Sequence, residues 1–452
     1  MQYMYLIYKT ILKALLVVWV LCERFTVSED ISVISKSVDR YGRFISLYWS
    51  RKELNRVHKR RLPNSCIKIV PVLIFLLTIS LVLPLSTDAA RSKSKWTFMV
   101  YLDADNNLDY YGYQNIEAMK AVGSTNDVNI VVLWDKYDGV ANLYHVELNE
   151  LKIIPKFALN GEEVNMGDPN TLEAFVRFTM CHYRSDNYAL ILWDHGDDLR
   201  GCCWDDHSED HLSHQEITGA LSGISIDILA FDACVEGMVE VAYEYAQSGA
   251  QIDYLVATEG YVPYEGYPYT PVLTALTRNP GTDAYDFAKT MVDEYIVFYE
   301  NLRPAARLVE MGVIDLTYMN LIVEQLGDLT RVLEPLLQGD ERGCYHGMVS
   351  DARASGNMGW SEYGWEAYVD LPSFVKTLSG YGFQEATLLY DTLMERIYAR
   401  SSRSMHSAEG MGIFFPNSCG SFTHKLVLHG DEYLALQFPH EGFWDFLQAY
   451  WG

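Results

Sequence analysis

Two side chains in the sequence sit where chemistry can happen, His195 and Cys234. Each closes an apolar run: Tyr188-Ala-Leu-Ile-Leu-Trp-Asp-His195-Gly196 and Ile226-Asp-Ile-Leu-Ala-Phe-Asp232-Ala-Cys234. Short apolar runs of this kind read as buried β-strands. A thiol attacks only as its thiolate, and a free cysteine titrates near pH ~8.5, so a nucleophilic cysteine needs activation. A helix predicted near Glu236–Gln247 would supply it, through outward amides and the positive end of its dipole. Gly196 would let the backbone approach a ligand closely and present an amide to a developing oxyanion. Singly, each side chain also reads as a buried structural cysteine or a hydrogen-bonded loop histidine. Together, on successive strand ends, they predict a hydrolase with a Cys-His pair and no catalytic metal.

The elements that must position this pair alternate between strand and helix. Strands are expected at Trp96–Leu102, Val128–Asp135, up to His195, up to Asp232 and at Tyr254–Thr258. Helices are expected from about Asp109 to Val122, from Asp168 to Tyr183, over Ser213–Leu221 and over Glu236–Gln247, with Asp168 as cap and Pro169 in the first turn. A hairpin is expected at Asn149-Glu150. This order predicts an α/β fold, a mostly parallel sheet with helices on both faces, with helical and strand additions at the C-terminal end. Later helices are expected over 283–301, 317–337, 383–400 and 443–451, and strands over 306–315 and 410–415. Ligands of such sheets bind at the carboxyl ends of the strands, where both key residues lie.

Charge divides the chain of 452 residues in two. Residues 1–95 carry 16 Lys/Arg and 6 Asp/Glu; the totals of 35 and 60 leave 19 and 54 for residues 96–452, a balance of −35. That acidity argues against nucleic acid as a partner and favours cationic substrates. The basic part holds two apolar segments, near Met4–Leu21 and Ile69–Leu85. The second has Lys59-Arg60-Arg61 before it and small residues after it, the pattern of a signal peptide or signal anchor. Either the true start lies further in, making 1–57 a mis-start, or both segments cross the membrane. Both readings place the domain 96–452 outside the cytoplasm, secreted or membrane-anchored, with 91–95 as a linker. The eight cysteines form no C-x-x-C pair, and Cys181, Cys344 and Cys419 read as small buried hydrophobes.

Four stretches carry a resemblance: WTFMVYLDADNNLD at 96–109, ALILWDHG at 189–196, DILAFDACVEG at 227–237 and GMGIFFP at 410–416. With them the chain resembles the clostripain family of cysteine peptidases, in the caspase-like clan, over about residues 96–450. The resemblance implies a caspase-like fold and cleavage of polypeptides after Arg or Lys, with Cys234 attacking the scissile carbonyl and His195 protonating the leaving amine. It implies an acidic residue at the base of the P1 pocket; Asp232 matches that position, and Glu259 or Glu265 would add a second carboxylate. It also implies self-cleavage between His and Cys, for which Arg200 is the candidate in loop 197–212, and calcium as an accessory ion. Where the family commonly has Asn before the histidine, this chain has Asp194.

Two features invite other readings. Asp103–Asp109 looks like a calcium loop but has Leu108 at the sixth position and Gln114 at the twelfth, so it reads as a strand-to-helix turn. His207, His211 and His214 sit in or beside an acidic loop but match no H-E-x-x-H or H-x-x-E-H pattern. A metal-dependent hydrolase built on them, or a caspase-like binding module without activity, are the alternatives.

Overall fold

The computed structural model describes residues 93–302, 308–357, 367–403, 405, 408–423 and 432–452. The chain enters on β1 (Ser94–Ala104), turns into α1 (Asp109–Lys120) and returns on β2 (Val128–Lys136). A hairpin follows, β3 (Asn142–Glu147) and β4 (Glu150–Ile153), then α2 (Pro169–His182) and β5 (Ser185–Trp193). A small hairpin, β6 (Cys202–Asp205) and β7 (Asp210–Leu212), precedes α3 (His214–Ala220), β8 (Ser225–Asp232), α4 (Val239–Ala246) and β9 (Gln251–Ala257). The second half adds α5 (Tyr269–Arg278), α6 (Ala284–Leu302), β10 (Glu310–Asp315), α7 (Met319–Gln338) and α8 (Arg342–Ser355). It ends with β11 (Tyr368–Asp370), α9 (Leu371–Gly380), α10 (Gln384–Arg396), β12 (Ile397–Ser401), β13 (Gly412–Phe414), α11 (Glu432–Ala435) and α12 (Phe443–Trp451).

The main sheet has the order β12-β10-β9-β8-β5-β1-β2-β3-β4. The five strands from β9 to β2 run parallel, and the pairings toward both edges are antiparallel. The central strands are apolar throughout because both faces are covered. Phe98, Val100 and Leu102 face one core with Ile191, Ala230 and the tyrosines of α6; Met99 and Tyr101 face the other with Leu192, Phe231 and α4. The expected α/β fold with a mostly parallel sheet is the one observed. Asp168 caps α2 by accepting from the Asn170 amide, and Ser213 and Glu216 form a reciprocal capping box on α3.

Several expectations are corrected. Residues 397–401 form an edge strand on β10 rather than the end of a long helix, because pairing with that edge outweighs local helix propensity. The strand expected over 410–415 is present at Gly412–Phe414, where it pairs with β11 in a separate two-stranded sheet. Helix α4 starts at Val239, later than expected, and helices α5, α8 and α9 were not anticipated. Ser94 and Lys95 belong to β1 rather than to a linker. Cys181, Cys344 and Cys419 are exposed, while Cys202 and Cys203 are buried. Both N-terminal apolar segments lie outside the described residues; among the described residues no helix is long and apolar enough to cross a membrane.

One buried amide ties the helix layer to the edge of the sheet. Asn115 on α1 accepts from Trp193 Nε1 at 2.7 Å and donates to the Glu265 carbonyl at 3.0 Å. Replacing it leaves the indole N–H unpaired inside the protein. Asn115→Ala is expected to lower unfolding free energy by about 1–3 kcal/mol, measurable by urea denaturation.

Candidate active site

Strands β5 and β8 are hydrogen-bonded neighbours with Trp193 opposite Asp232. His195 and Cys234 lie two residues beyond those partners and line one cleft together with Asp232, Asp194, Val262 and Tyr264. Gly196 makes the convergence possible. A Cβ there would lie 2.4 Å from the Cys234 carbonyl oxygen and 2.9 Å from its nitrogen, a gap that only glycine fits.

His195 is oriented by a residue that sequence reasoning missed. Its Nε2 lies 2.8 Å from Asn107 Oδ1. An amide oxygen only accepts, so Nε2 carries the proton and Nδ1 keeps its lone pair. Asn107 sits in the turn between β1 and α1, at the same carboxyl edge of the sheet; the signal available was the Asn106-Asn107 pair directly after a strand. Asn106 explains Asp194. Its Nδ2 donates to Asp194 Oδ1 at 2.7 Å and to the Trp204 carbonyl at 2.9 Å, while the Trp204 amide donates to Asp194 Oδ2. Asp194 is therefore a brace that locks the Asn106-Asn107 turn and the β6 hairpin around the histidine. Burial drives its carboxyl well above the ordinary range, and the amides of His195 and Trp204 and the Asn106 side chain oppose that rise. Burial lowers the His195 pKa from 6.5, so the ring is neutral near pH 7.

Cys234 does not stand at a helix N-terminus. Four residues separate it from Val239, and the chain turns sharply with Val235 at φ 61°. A β-branched residue in the left-handed region is strained by about 1–3 kcal/mol. The turn is held from outside, by Val235 N donating to Gly260 O at 2.8 Å and Gly237 N to Thr258 O at 2.7 Å. The thiol is covered: the Val262 amide donates to Sγ at 3.4 Å, and Sγ–H faces the Val262 carbonyl at 3.8 Å. Burial pushes the thiol up to about 11, opposed by the Val262 amide and helped by the nearby Asp232, Asp194 and Asp197. The expected helix-dipole activation is thus absent, and the thiol rests protonated.

Asp232 lies on the cleft wall, buried, and holds the loop that follows. It accepts from the Tyr267 amide at 3.0 Å on both oxygens and from the Tyr269 hydroxyl at 2.9 Å. Burial raises it to about 7 against those donors. Glu259 is turned elsewhere: it accepts from the Gly410 amide at 2.6 Å beside Asp370 and Glu310. Neither Glu259 nor Glu265 lines the cleft. Arg200 is anchored between Asp197 (3.6 Å) and Glu432 (3.7 Å) over the Trp204 ring. The three histidines diverge, which removes the basis for a joint metal centre: His207 faces Asp105, His211 stacks on Trp204, and His214 is buried against Tyr245 and Glu236.

The Clostripain family model matches residues 100–451. The chain belongs to the clostripain family. Clostripain of Hathewaya histolytica is 31% identical over 235 residues, 43% of this chain; the chain spans 45% of that relative's length. Two solved structures share the fold at 18% identity. One is an inactive zymogen C11 protease from Parabacteroides distasonis, with a TM-score of 0.57 and coverage of 77% of this chain and 98% of that one. The other is a secreted C11 cysteine protease from Bacteroides thetaiotaomicron in complex with an irreversible peptide inhibitor, with a TM-score of 0.60 and coverage of 78% and 99%.

The covered thiol makes a measurable prediction for this clostripain-family chain. In substrate-free protein, iodoacetamide labelling of Cys234 is expected to rise about tenfold per pH unit from pH 7 to 10 with no plateau near 8.5. The exposed Cys181, Cys344 and Cys419, followed on their own peptides by mass spectrometry, serve as internal references.

Proposed function

We propose that the protein is a cysteine endopeptidase that cleaves polypeptides after arginine or lysine. The observation that carries this reading is the convergence of His195, Cys234 and Asp232 on one cleft at the carboxyl edge of a parallel sheet. Family membership supports the nucleophile and its partner. The buried carboxylate two residues before the thiol supports the basic preference, since it would pair with guanidinium or ammonium.

The reaction follows from the resting geometry. An entering peptide displaces the Val262 backbone from Sγ. The thiol proton passes to His195 Nδ1 as Sγ bonds to the scissile carbonyl carbon. The imidazolium returns that proton to the leaving amine as the C–N bond breaks, leaving a thioester. Water, deprotonated by His195, then cleaves the thioester, and the thiol recovers its proton. The Gly196 and Cys234 amides stabilise the oxyanion in both halves. Asn107 holds the tautomer that keeps Nδ1 available. The acidic balance of residues 96–452 draws cationic peptides toward the cleft. The apolar segments before residue 91 and the secreted relative support export from the cytoplasm.

Fluorogenic peptides ending in Arg, Lys or citrulline test the reading, with Cys234→Ala as control. Arg and Lys peptides are expected to turn over and Cys234→Ala to abolish it; no turnover of any of the peptides would favour a binding module. Asp232→Asn is expected to cost about 30-fold or more in kcat/KM for the cationic peptides, because breaking a buried charge pair costs about 2–5 kcal/mol. Asp232 gains charge as pH rises through about 7. KM for the Arg peptide should therefore fall across that range while KM for citrulline stays flat.

Self-processing is a separate question. If Arg200 is the cut site, Arg200→Ala is expected to leave a single chain on a denaturing gel where the parent gives two. Unchanged processing would exclude that residue.

A further inference from the structure

Glu236 and His214 are buried ionisable groups that take no part in the proton transfers of the cleft. Glu236 follows Cys234 by two residues, and His214 opens α3. Both are 0% exposed. His214 Nε2 lies 3.5 Å from Glu236 Oε2, within ion-pair range. Its Nδ1 lies 3.1 Å from the hydroxyl of Tyr245 on α4, itself buried. The ring also meets Phe231 and Tyr245 edge to face, so its orientation is set from several sides.

The second oxygen of the same carboxyl reaches the cleft from behind. A Cβ on Gly196 would lie 2.7 Å from Glu236 Oε1 as well as 2.9 Å from the Cys234 nitrogen. The Glu236 carboxyl therefore packs against the glycine whose amide faces the oxyanion. That is a demanding place for an acid. Sγ becomes negative as it loses its proton, and the scissile oxygen becomes negative as Sγ bonds to carbon. An unbalanced carboxylate close behind both would oppose each charge, where burial makes screening weak. Buried carboxylates are ordinarily paired, and the basic group beside this one is His214. One proton between the two leaves the pair with no net charge, whichever of them carries it.

We propose that His214 is a positioning residue for the peptidase reaction: it fixes the Glu236 carboxyl against Gly196 and cancels its charge, so that the cleft accepts negative charge on sulfur and on the oxyanion. This rests on the reading of Cys234 as the nucleophile and of Gly196 as an oxyanion donor. His214 acts through Glu236 and touches no reacting atom. Tyr245 supports it from the far side, since its hydroxyl engages Nδ1 and leaves Nε2 facing the carboxyl. A buried ion pair contributes little to stability over apolar residues of the same shape. What this one supplies is a carboxyl shaped to the back of Gly196 without the field of a free charge.

The test reads the sulfur itself, so it does not depend on peptide turnover. Alkylation of Cys234 by iodoacetamide is followed on its own peptide, at about pH 9, in the full chain of the parent, His214→Phe and His214→Phe/Glu236→Gln. His214→Phe leaves the carboxylate unbalanced and is expected to slow alkylation about tenfold, the effect of one unit charge close by in a protein interior. Adding Glu236→Gln is expected to restore the parental rate. A merely structural role has the opposite sign, because a loosened site uncovers Sγ and speeds labelling. Urea unfolding identifies a variant that has lost its fold; His214→Asn, equally uncharged, then takes the place of His214→Phe. With the Arg peptide, His214→Phe is expected to lower kcat about tenfold while KM stays within about twofold, and the double variant to recover kcat. A parent without turnover would count against the peptidase reading and leave the alkylation result to decide the role of the pair. Unchanged or faster alkylation in His214→Phe, or no recovery in the double variant, would overturn the proposal.

Discussion

The parallel pairing of β5 with β8 is the constraint from which the cleft follows. It sets Trp193 beside Asp232, and the two residues that follow on each strand must then share a narrow space. Gly196 against the Cys234 backbone is what that narrowness demands. The strained Val235 turn is its counterpart on the other strand, held by hydrogen bonds that the Val235 and Gly237 amides donate to the carbonyls of Gly260 and Thr258. Strain of this kind persists only where the surroundings over-determine it, and here the whole β9 side of the sheet does so.

Four adjacent parallel strands each have an aspartate within one residue of their carboxyl end: Asp103, Asp135, Asp194 and Asp232. Each is buried, and each is put to different use. Asp194 locks the turn that orients the histidine, Asp232 holds the loop that covers the thiol, and Asp103 and Asp135 crowd together at the far end of the row. A polar edge above an apolar sheet concentrates charge where dielectric screening is weak. The electrostatics of the cleft is therefore a property of the fold's edge more than of any single side chain.

The strands, their order around the cleft and the residues at their ends were legible because the central runs are apolar and end abruptly. His195, Gly196 and Cys234 stood out from that pattern, and the family resemblance singled out Asp232. Asn107 could not, because its role depends on how a turn folds back across the sheet edge, and periodicity carries no such information. The covering of Cys234 by Val262 was invisible for the same reason: residues 28 positions apart meet only after β9 is laid beside β8. The helix start was misplaced because Glu236 and Gly237 look helical or capping in isolation, whereas the Val235 turn spends those residues on crossing to Thr258. Asp194 looked like an anomaly in the sequence and became intelligible once Asn106 and Trp204 were seen to bond it.

The cover over Cys234 also bears on chemical durability. Peroxide attacks thiolates, and sulfenic acid forms first where the sulfur is both ionised and accessible. The Cys234 sulfur is kept protonated and only partly accessible beneath the Val262 backbone, while Cys181, Cys344 and Cys419 stand exposed. Oxidants would therefore react with the sulfurs outside the cleft before the one inside it.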